Sequence, residues 1–344
     1  MPLTTGLLML PSHPAGRLVE IAQLAERTGY DYLWLADERF FREVYASLTL
    51  CALRTQRIKL GPCVTDPYSR HAALTAMAIA TLDEISGQRA VLGIGAGVSG
   101  FRELGITRDK PGSGLREAVE VIRKLLAGET VTYKGAVVQI EGGHLDFKPM
   151  RADVPMYIAS QRPVGVRAAG RVADGAIMQG CVAEPLLAFF RDTVAAGARE
   201  AGRDPARIDL VARINVCVHD DRQVARDLMR PTIVRSLAAQ RPDFFTFKTA
   251  GVTVPPALAR HLEGLSYAYD PRPFQAAAAE VPESFVDAVT LAGPPDEVAA
   301  GVARLARQGI TQFMLYPLSP DGRVELVIER FQSEVMPRVR AAVR

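Results

Sequence analysis

The stretch "VLGIGAGVSGFRELG", residues 91–105, sets Gly95, Gly97 and Gly100 at the spacing G-x-G-x-x-G directly after an apolar run. A dinucleotide-binding domain would open a helix at the third glycine and end its next strand with an acidic residue about 20 positions on. Here a loop carrying Gly105, Pro111, Gly112 and Gly114 intervenes. The acids at that distance, Glu117 and Glu120, fall inside a helical pattern in which Leu115, Val119, Ile122 and Leu126 recur. The context therefore argues against the dinucleotide fold. Glycines at a strand end leave two readings open: they admit an anion to backbone N–H groups, or they relieve crowding at the rim of a barrel.

Outward from this stretch the chain alternates short apolar runs with helical periods. Residues 4–10 precede a helix with Leu18, Ile21, Ala22 and Ala25 on one face, closed by Gly29. Residues 30–37 lead into "EVYASLTLCALRT". Residues 57–65 lead into "HAALTAMAIATLDEISG", where Leu74, Met77, Leu82 and Ile85 line one face before Gly87. Residues 154–160, 174–180, 208–220 and 310–318 read as strands five to eight. Eight βα units emerge, so the expected fold class is α/β, a single (β/α)8 TIM barrel over residues 1–344. Residues 129–147 alternate around a glycine and are expected to form an inserted hairpin. Residues 238–285, with "DFFTFKT" and "AYDPRPF", fit neither period and are too long for an ordinary connection, so they are expected to cap the barrel mouth as an insertion.

Composition excludes several function classes. The 41 basic and 38 acidic residues leave a net charge of +3 and are interspersed, so no nucleic-acid partner and no polybasic membrane partner is expected. No apolar run is long enough to span a bilayer, and "MPLTTGLLMLPSHP" lacks the basic region and cleavage site of a signal peptide. The expected compartment is the cytoplasm. Cys51, Cys63, Cys181 and Cys217 lie far apart with no C-x-x-C, which signals neither a metal site nor a redox pair.

"GPCVTDPYSRH", "ATLDEISGQRAVLGIGAG", "YIAS" and "ADGAIMQG" resemble matching segments of the luciferase-like oxidoreductases. The resemblance is nearest to the methylenetetrahydromethanopterin reductase branch, which uses coenzyme F420. It covers residues 5–220 and, more loosely, the tail from 290; the 238–285 segment is not matched by these motifs. It implies a TIM-type barrel with a flavin or deazaflavin across its C-terminal mouth, and an oxidoreductase moving a hydride between coenzyme F420 and a small organic substrate. An FMN-dependent monooxygenase is the runner-up, and a non-catalytic cofactor carrier stands outside both. The deazaflavin supplies the hydride chemistry, so few catalytic side chains are needed. No Ser/His/Asp order, H-E-x-x-H helix or P-loop lysine is present.

The resemblance also assigns residues. It implies a bulge with a non-proline cis peptide at Cys63–Val64, beside Thr65, behind the tricyclic ring. It implies a phosphate cradle from Gly95, Ala96 and Gly97, then Ala159, Ser160 and Gln161, then Gln179, Gly180 and Cys181. Asp37 ends strand two, where a carboxylate points into a barrel mouth and can hydrogen-bond the ring or move a proton. The competing reading is a helix cap, or an ion pair with Arg39 or Arg42. Relatives follow this aspartate with histidine; here Glu38 stands there, either substituting for it or facing solvent. Val98 and Ser99 follow the strand-four glycines where some relatives carry an acid. His71 reads as a structural donor at a helix start and Trp34 as packing. Tyr68 either seals the mouth or touches the ligand. The resemblance implies a homodimer, with helices two and three, rich in Ala, Leu and Met, supplying the contact.

Overall fold

The computed structural model describes residues 3–265 and 272–343. The chain begins β1 (Thr4–Met9), α1 (Ala15–Thr28), β2 (Tyr32–Leu35), α2 (Val44–Ala52), β3 (Lys59–Pro62), α3 (Ala72–Ser86), β4 (Leu92–Gly95) and α4 (Pro111–Leu126). An antiparallel pair follows, β5 (Val131–Lys134) and β6 (Gln139–Gly143). Then come β7 (Met156–Ala159), α5 (Pro163–Val172), β8 (Gly175–Gln179), α6 (Glu184–Glu200), β9 (Asp209–Val218) and α7 (Arg222–Ala239). Short helices α8 (Phe245–Thr249), α9 (Pro256–His261), α10 (Arg272–Ala276) and α11 (Glu283–Val289) lead to β10 (Thr290–Gly293), α12 (Pro295–Arg307) and β11 (Gln312–Pro317). The chain closes with α13 (Val324–Arg330) and α14 (Met336–Ala342), joined through a π-helical turn over Phe331–Val335. Residues 266–271, within the segment expected to cap the mouth, lie outside the described residues.

Contacts gather the chain into two compact units. The first holds Leu8–Ile177 and Asp192–Leu210. Its strands run parallel: β2 pairs β3, β4 pairs β7 with Gly95 opposite Ala159, and β7 pairs β8. Single bridges at Leu60–Ala90 and Thr65–Ile94 tie β3 to the β4 edge. Parallel neighbours need a crossover, and the intervening helices supply it. The second unit holds the chain up to Leu7, Met178–Arg191 and Val211–Arg344. There β1 pairs β11, β11 pairs β9, and β9 pairs β10, again all parallel. β10 was not foreseen from sequence: "VDAVTLAG" is a single apolar run in which the turn from α11 into a four-residue strand leaves no mark.

Periodicity placed the helices well but misjudged one face. In α1, Leu18, Ile21, Ala22 and Ala25 are buried, and Gly29 ends the helix at φ +94°, donating its N–H to the last-turn carbonyls. In α3 the buried face is Ala72, Thr75, Ala76, Ile79, Ala80 and Leu82. Leu74, Met77 and Ile85, grouped with Leu82 by the sequence reading, are 50%, 46% and 40% exposed. The inner face of α3 is thus built largely of small side chains, and its larger apolar ones point outward.

The Glu117 carboxylate on α4 accepts the N–H groups of Ala136, Val137 and Val138 at 2.9–3.1 Å, pinning the β5–β6 connection to the helix. Burial works against its ionisation, yet the three N–H donors and Arg116 hold its pKa below the ordinary glutamate value. All four cysteines are free and buried. Burial pushes the Cys51 and Cys181 thiols up to about 12. It pushes Cys217 up to about 11, although Arg330 acts the other way. Among the described residues no His, Cys, Asp and Glu cluster could hold a metal, and no helix is long and apolar enough to cross a membrane.

Candidate active site

Gly61, Gly93 and Gly95 sit where β3 and β4 approach each other closely. A Cβ on Gly61 would lie 1.7 Å from the Val91 carbonyl oxygen, and one on Gly93 would lie 2.7 Å from that of Pro62. A Cβ on Gly95 would lie 2.7 Å from Val64 Cγ2 and 3.2 Å from the Ala159 oxygen. Strand β3 ends in a cis peptide at Cys63–Val64, as the resemblance implies. The Cys63 N–H still bonds the Leu35 carbonyl of β2 at 2.7 Å. Two residues later the Thr65 N–H bonds Gly93 O at 3.0 Å, and Gly95 N–H returns a bond to Thr65 O at 2.9 Å. The chain thus crosses from β2 to β4 over three residues, and Gly93 and Gly95 leave room for it.

Asp37 follows β2 beside this bulge. Burial raises its pKa; Thr65, Arg70 and Arg39 pull the other way, and Asp66 adds to the rise. Its ion-pair partner is Arg70, at 3.7 Å from Nε to Oδ2, rather than Arg39 or Arg42. Nor does Asp37 cap α2, because Glu43 accepts the Ala46 N–H at 2.7 Å. Beside Asp37 stand three buried donors that reach no partner at hydrogen-bond distance. Tyr45 Oη, Thr65 Oγ1 and Arg70 Nε are buried without a hydrogen-bond partner. Tyr45 is 9% exposed and Thr65 fully buried. Burial and the Asp37 charge push the Tyr45 pKa far above the phenol value, so the hydroxyl keeps its proton. Buried polar groups in native proteins are nearly always paired, and each of these three groups can donate a hydrogen bond. Together they suit an acceptor-rich ligand edge.

Glu38 turns toward the loop after β4. Its Oε2 accepts the Ser99 hydroxyl and lies 3.7 Å from Arg39 Nη2. Arg39 in turn bonds Asp66 Oδ2 at 2.8 Å and Ser99 O at 2.8 Å. Phe101 lies between two guanidinium groups, with Arg39 at 4.3 Å and Arg108 at 4.7 Å from its ring centroid. Tyr68 meets Phe101 edge-on at 6.5 Å and bonds Asp109 O at 2.7 Å, so it seals this loop. Gly97 and Gly100 adopt φ +65° and +74°, where the turn itself requires glycine.

The model of the luciferase-like monooxygenase family matches residues 3–312. The chain belongs to that family. It is 34% identical to a 5,10-methylenetetrahydromethanopterin reductase of Archaeoglobus fulgidus over 97% of this chain and 99% of that one. It is 34% identical to the enzyme of that name from Methanolobus tindarius over 93% and 96%. The solved structure of a coenzyme F420-dependent tetrahydromethanopterin reductase from Methanopyrus kandleri matches with a TM-score of 0.86 at 29% identity, covering 98% of this chain and all of that one. The fold class is accordingly α/β, the luciferase-like TIM barrel.

In this luciferase-like chain the positions assigned to a phosphate cradle divide by what their N–H groups already do. Gly95 N–H is committed to Thr65, and Ser160 N–H to Ile177 O at 3.1 Å. The Ser160 hydroxyl is engaged with the Arg162 backbone. The N–H groups of Ala96, Gly97 and Gln161 take no partner among the described residues. They follow strands that are neighbours, since Gly95 pairs with Ala159. In the second unit, Gln179 bonds Ser236 Oγ at 3.2 Å, Gly180 has φ +68° and bonds Arg213 O, and the Cys181 side chain is buried. His71 is structural: its Nδ1 accepts the Ala73 N–H at 3.1 Å, and Nε2 lies 2.8 Å from Gln139 O. Trp34 is fully buried, stacked on Tyr32 at 5.8 Å and edge-on to Tyr157 at 5.5 Å. The sequence reading passed over Glu43, Tyr45 and Phe101 and gave Arg70 and Arg108 no role. The acid at the start of "EVYASL" was the one available signal, since a carboxylate there caps a helix.

Proposed function

We propose that this chain is a coenzyme F420-dependent oxidoreductase that moves a hydride between the deazaflavin and a small organic substrate. The observation that carries the reading is the set of unpartnered donors, Tyr45 Oη, Thr65 Oγ1 and Arg70 Nε, gathered beside Asp37 and the Cys63–Val64 bulge. The names of the relatives support it. A bound deazaflavin supplies a two-electron hydride carrier with a carbonyl-bearing ring edge and a phosphate on its side chain. The donors fit such an edge, with Cys63, Val64 and Thr65 behind it. The free N–H groups of Ala96, Gly97 and Gln161 fit the phosphate, with Ala159 and Ser160 beside them. The resemblance adds Gln179, Gly180 and Cys181.

Asp37 is the proposed proton-transfer group, because burial raises its pKa and so favours the protonated carboxyl. Glu38, held by Ser99 and Arg39, is the proposed second carboxylate. Substrate choice is assigned to the 238–285 segment. A homodimer is proposed through α2 and α3, where Leu50, Leu53, Leu74 and Met77 are exposed. Buried free thiols accord with a cytoplasmic setting. The test is titration of purified protein with F420, followed by its fluorescence, with FMN as the competitor. Saturable binding of F420 in preference to FMN is expected. A protein that purifies with FMN and prefers it by tenfold or more would replace this reading with the monooxygenase one.

A further inference from the structure

Beyond the donor that Arg70 Nε offers a cofactor, Glu43 and Arg70 form a device around Asp37. The Glu43 carboxylate is fixed at both oxygens: Oε2 accepts the Ala46 N–H at 2.7 Å, and Oε1 accepts Arg70 Nη2 at 2.8 Å. The Arg70 guanidinium also lies over the Tyr45 ring, 4.9 Å from its centroid. Held on two sides, Arg70 stops with Nε 3.7 Å from Asp37 Oδ2, outside hydrogen-bond distance, and that nitrogen bonds nothing. A buried arginine nitrogen left unpartnered beside a carboxylate would close on it unless something held it back. Glu43 is placed to do so.

The other charged groups facing Asp37 are committed elsewhere. Arg39, after β2, is paired with Asp66 at 2.8 Å. Asp66, after β3, takes the N–H groups of Tyr68 and Ser69 and the Ser69 hydroxyl. Tyr45 on α2 and Thr65 of the bulge are uncharged donors. The adjustable charge facing Asp37 is therefore Arg70, and its position is set by Glu43. We propose that Glu43 and Arg70 are positioning residues for Asp37, with Glu43 holding the guanidinium short of full ion-pair contact so that the Asp37 carboxyl can hold and release a proton in the site. The inference rests on the oxidoreductase reading for its purpose, but its test needs no cofactor.

The experiment follows the Asp37 carboxyl by NMR in protein labelled with carbon-13 at aspartate carboxyls, the resonance being assigned by its loss in Asp37→Asn. Glu43→Gln keeps an acceptor for the Ala46 N–H and releases Arg70. The Asp37 midpoint should then fall by about one pH unit, the order expected when an opposite charge closes on a carboxylate. Arg70→Met keeps a side chain over Tyr45 and should raise the midpoint, with Arg70→Lys restoring part of the change. The deciding comparison is Glu43→Gln in the Arg70→Met background, where its effect should vanish if Glu43 acts through Arg70. An equal shift in both backgrounds would show direct repulsion between carboxylates and overturn the proposal, as would an unmoved midpoint in variants with wild-type thermal unfolding. Failure of F420 to bind in the separate titration would sink the cofactor reading and leave these midpoints to decide the positioning claim.

Discussion

Gly95→Ala adds one methyl group at the point where β3 crosses to β4. The new Cβ would lie 2.7 Å from Val64 Cγ2, where ordinary contact begins at 3.4 Å, so Val64 must retreat by about 0.7 Å. On the other side the Ala159 oxygen, at 3.2 Å, leaves little slack. Gly95 does not have positive φ, so the backbone itself tolerates alanine and the cost is one of packing. Overpacking of this kind costs about 1–3 kcal/mol. Val64→Ala removes both methyls of the obstructing side chain and alone should cost about 1 kcal/mol, since the residue is half-buried. In the double variant the added Cβ fills the space vacated, so the two changes should offset each other by about 1–2 kcal/mol. Denaturant unfolding of the four proteins measures this directly. F420 titration of the same set should show the affinity lost in Gly95→Ala partly recovered in the double variant, because the bulge returns to its place. Additivity within about 0.5 kcal/mol would refute the packing account and restore the reading in which this glycine serves the ligand alone.

Two further outcomes are expected. Glu117→Ala should destabilise the first unit by about 2–4 kcal/mol, since it strands three N–H groups of which that of Val138 is fully buried. The Glu117 contribution is present above the unfolded glutamate pKa and is lost as pH falls through its depressed folded value, so the gap between wild type and Glu117→Ala should narrow on acidification in thermal melts. A lysine at both Leu53 and Leu74, 61% and 50% exposed, should convert a dimer to a folded monomer in light scattering; a wild type already monomeric at micromolar concentration would dispose of the interface.

Outside residues 238–293 the element order was legible because each strand and helix carries its own period. The face of α3 was not, because alanine and threonine give a weak signal of burial beside leucine and methionine. At the site, Asp37 could be found from its place at a strand end. Its partners could not: Glu43 reads as surface charge before a helix, Tyr45 as a core aromatic, and Arg70 as one more loop cation. Only folding brings them around one carboxylate. The glycine spacing was legible as well, yet sequence could not divide its labour. Gly95 serves the crossing of β3, whereas Gly97 and Gly100 serve the turn.

Cys51, Cys181 and Cys217, buried and with raised pKa values, are nearly silent toward thiol reagents at neutral pH, where the reactive species is the thiolate. These three cysteines therefore need not be removed before a probe is attached. A cysteine introduced at Val98, a site 49% exposed on the loop held by Phe101, would accept a fluorophore on an otherwise unaltered background. The same protein used for cofactor titration could then report, from its own label, whether that loop tightens as ligand arrives.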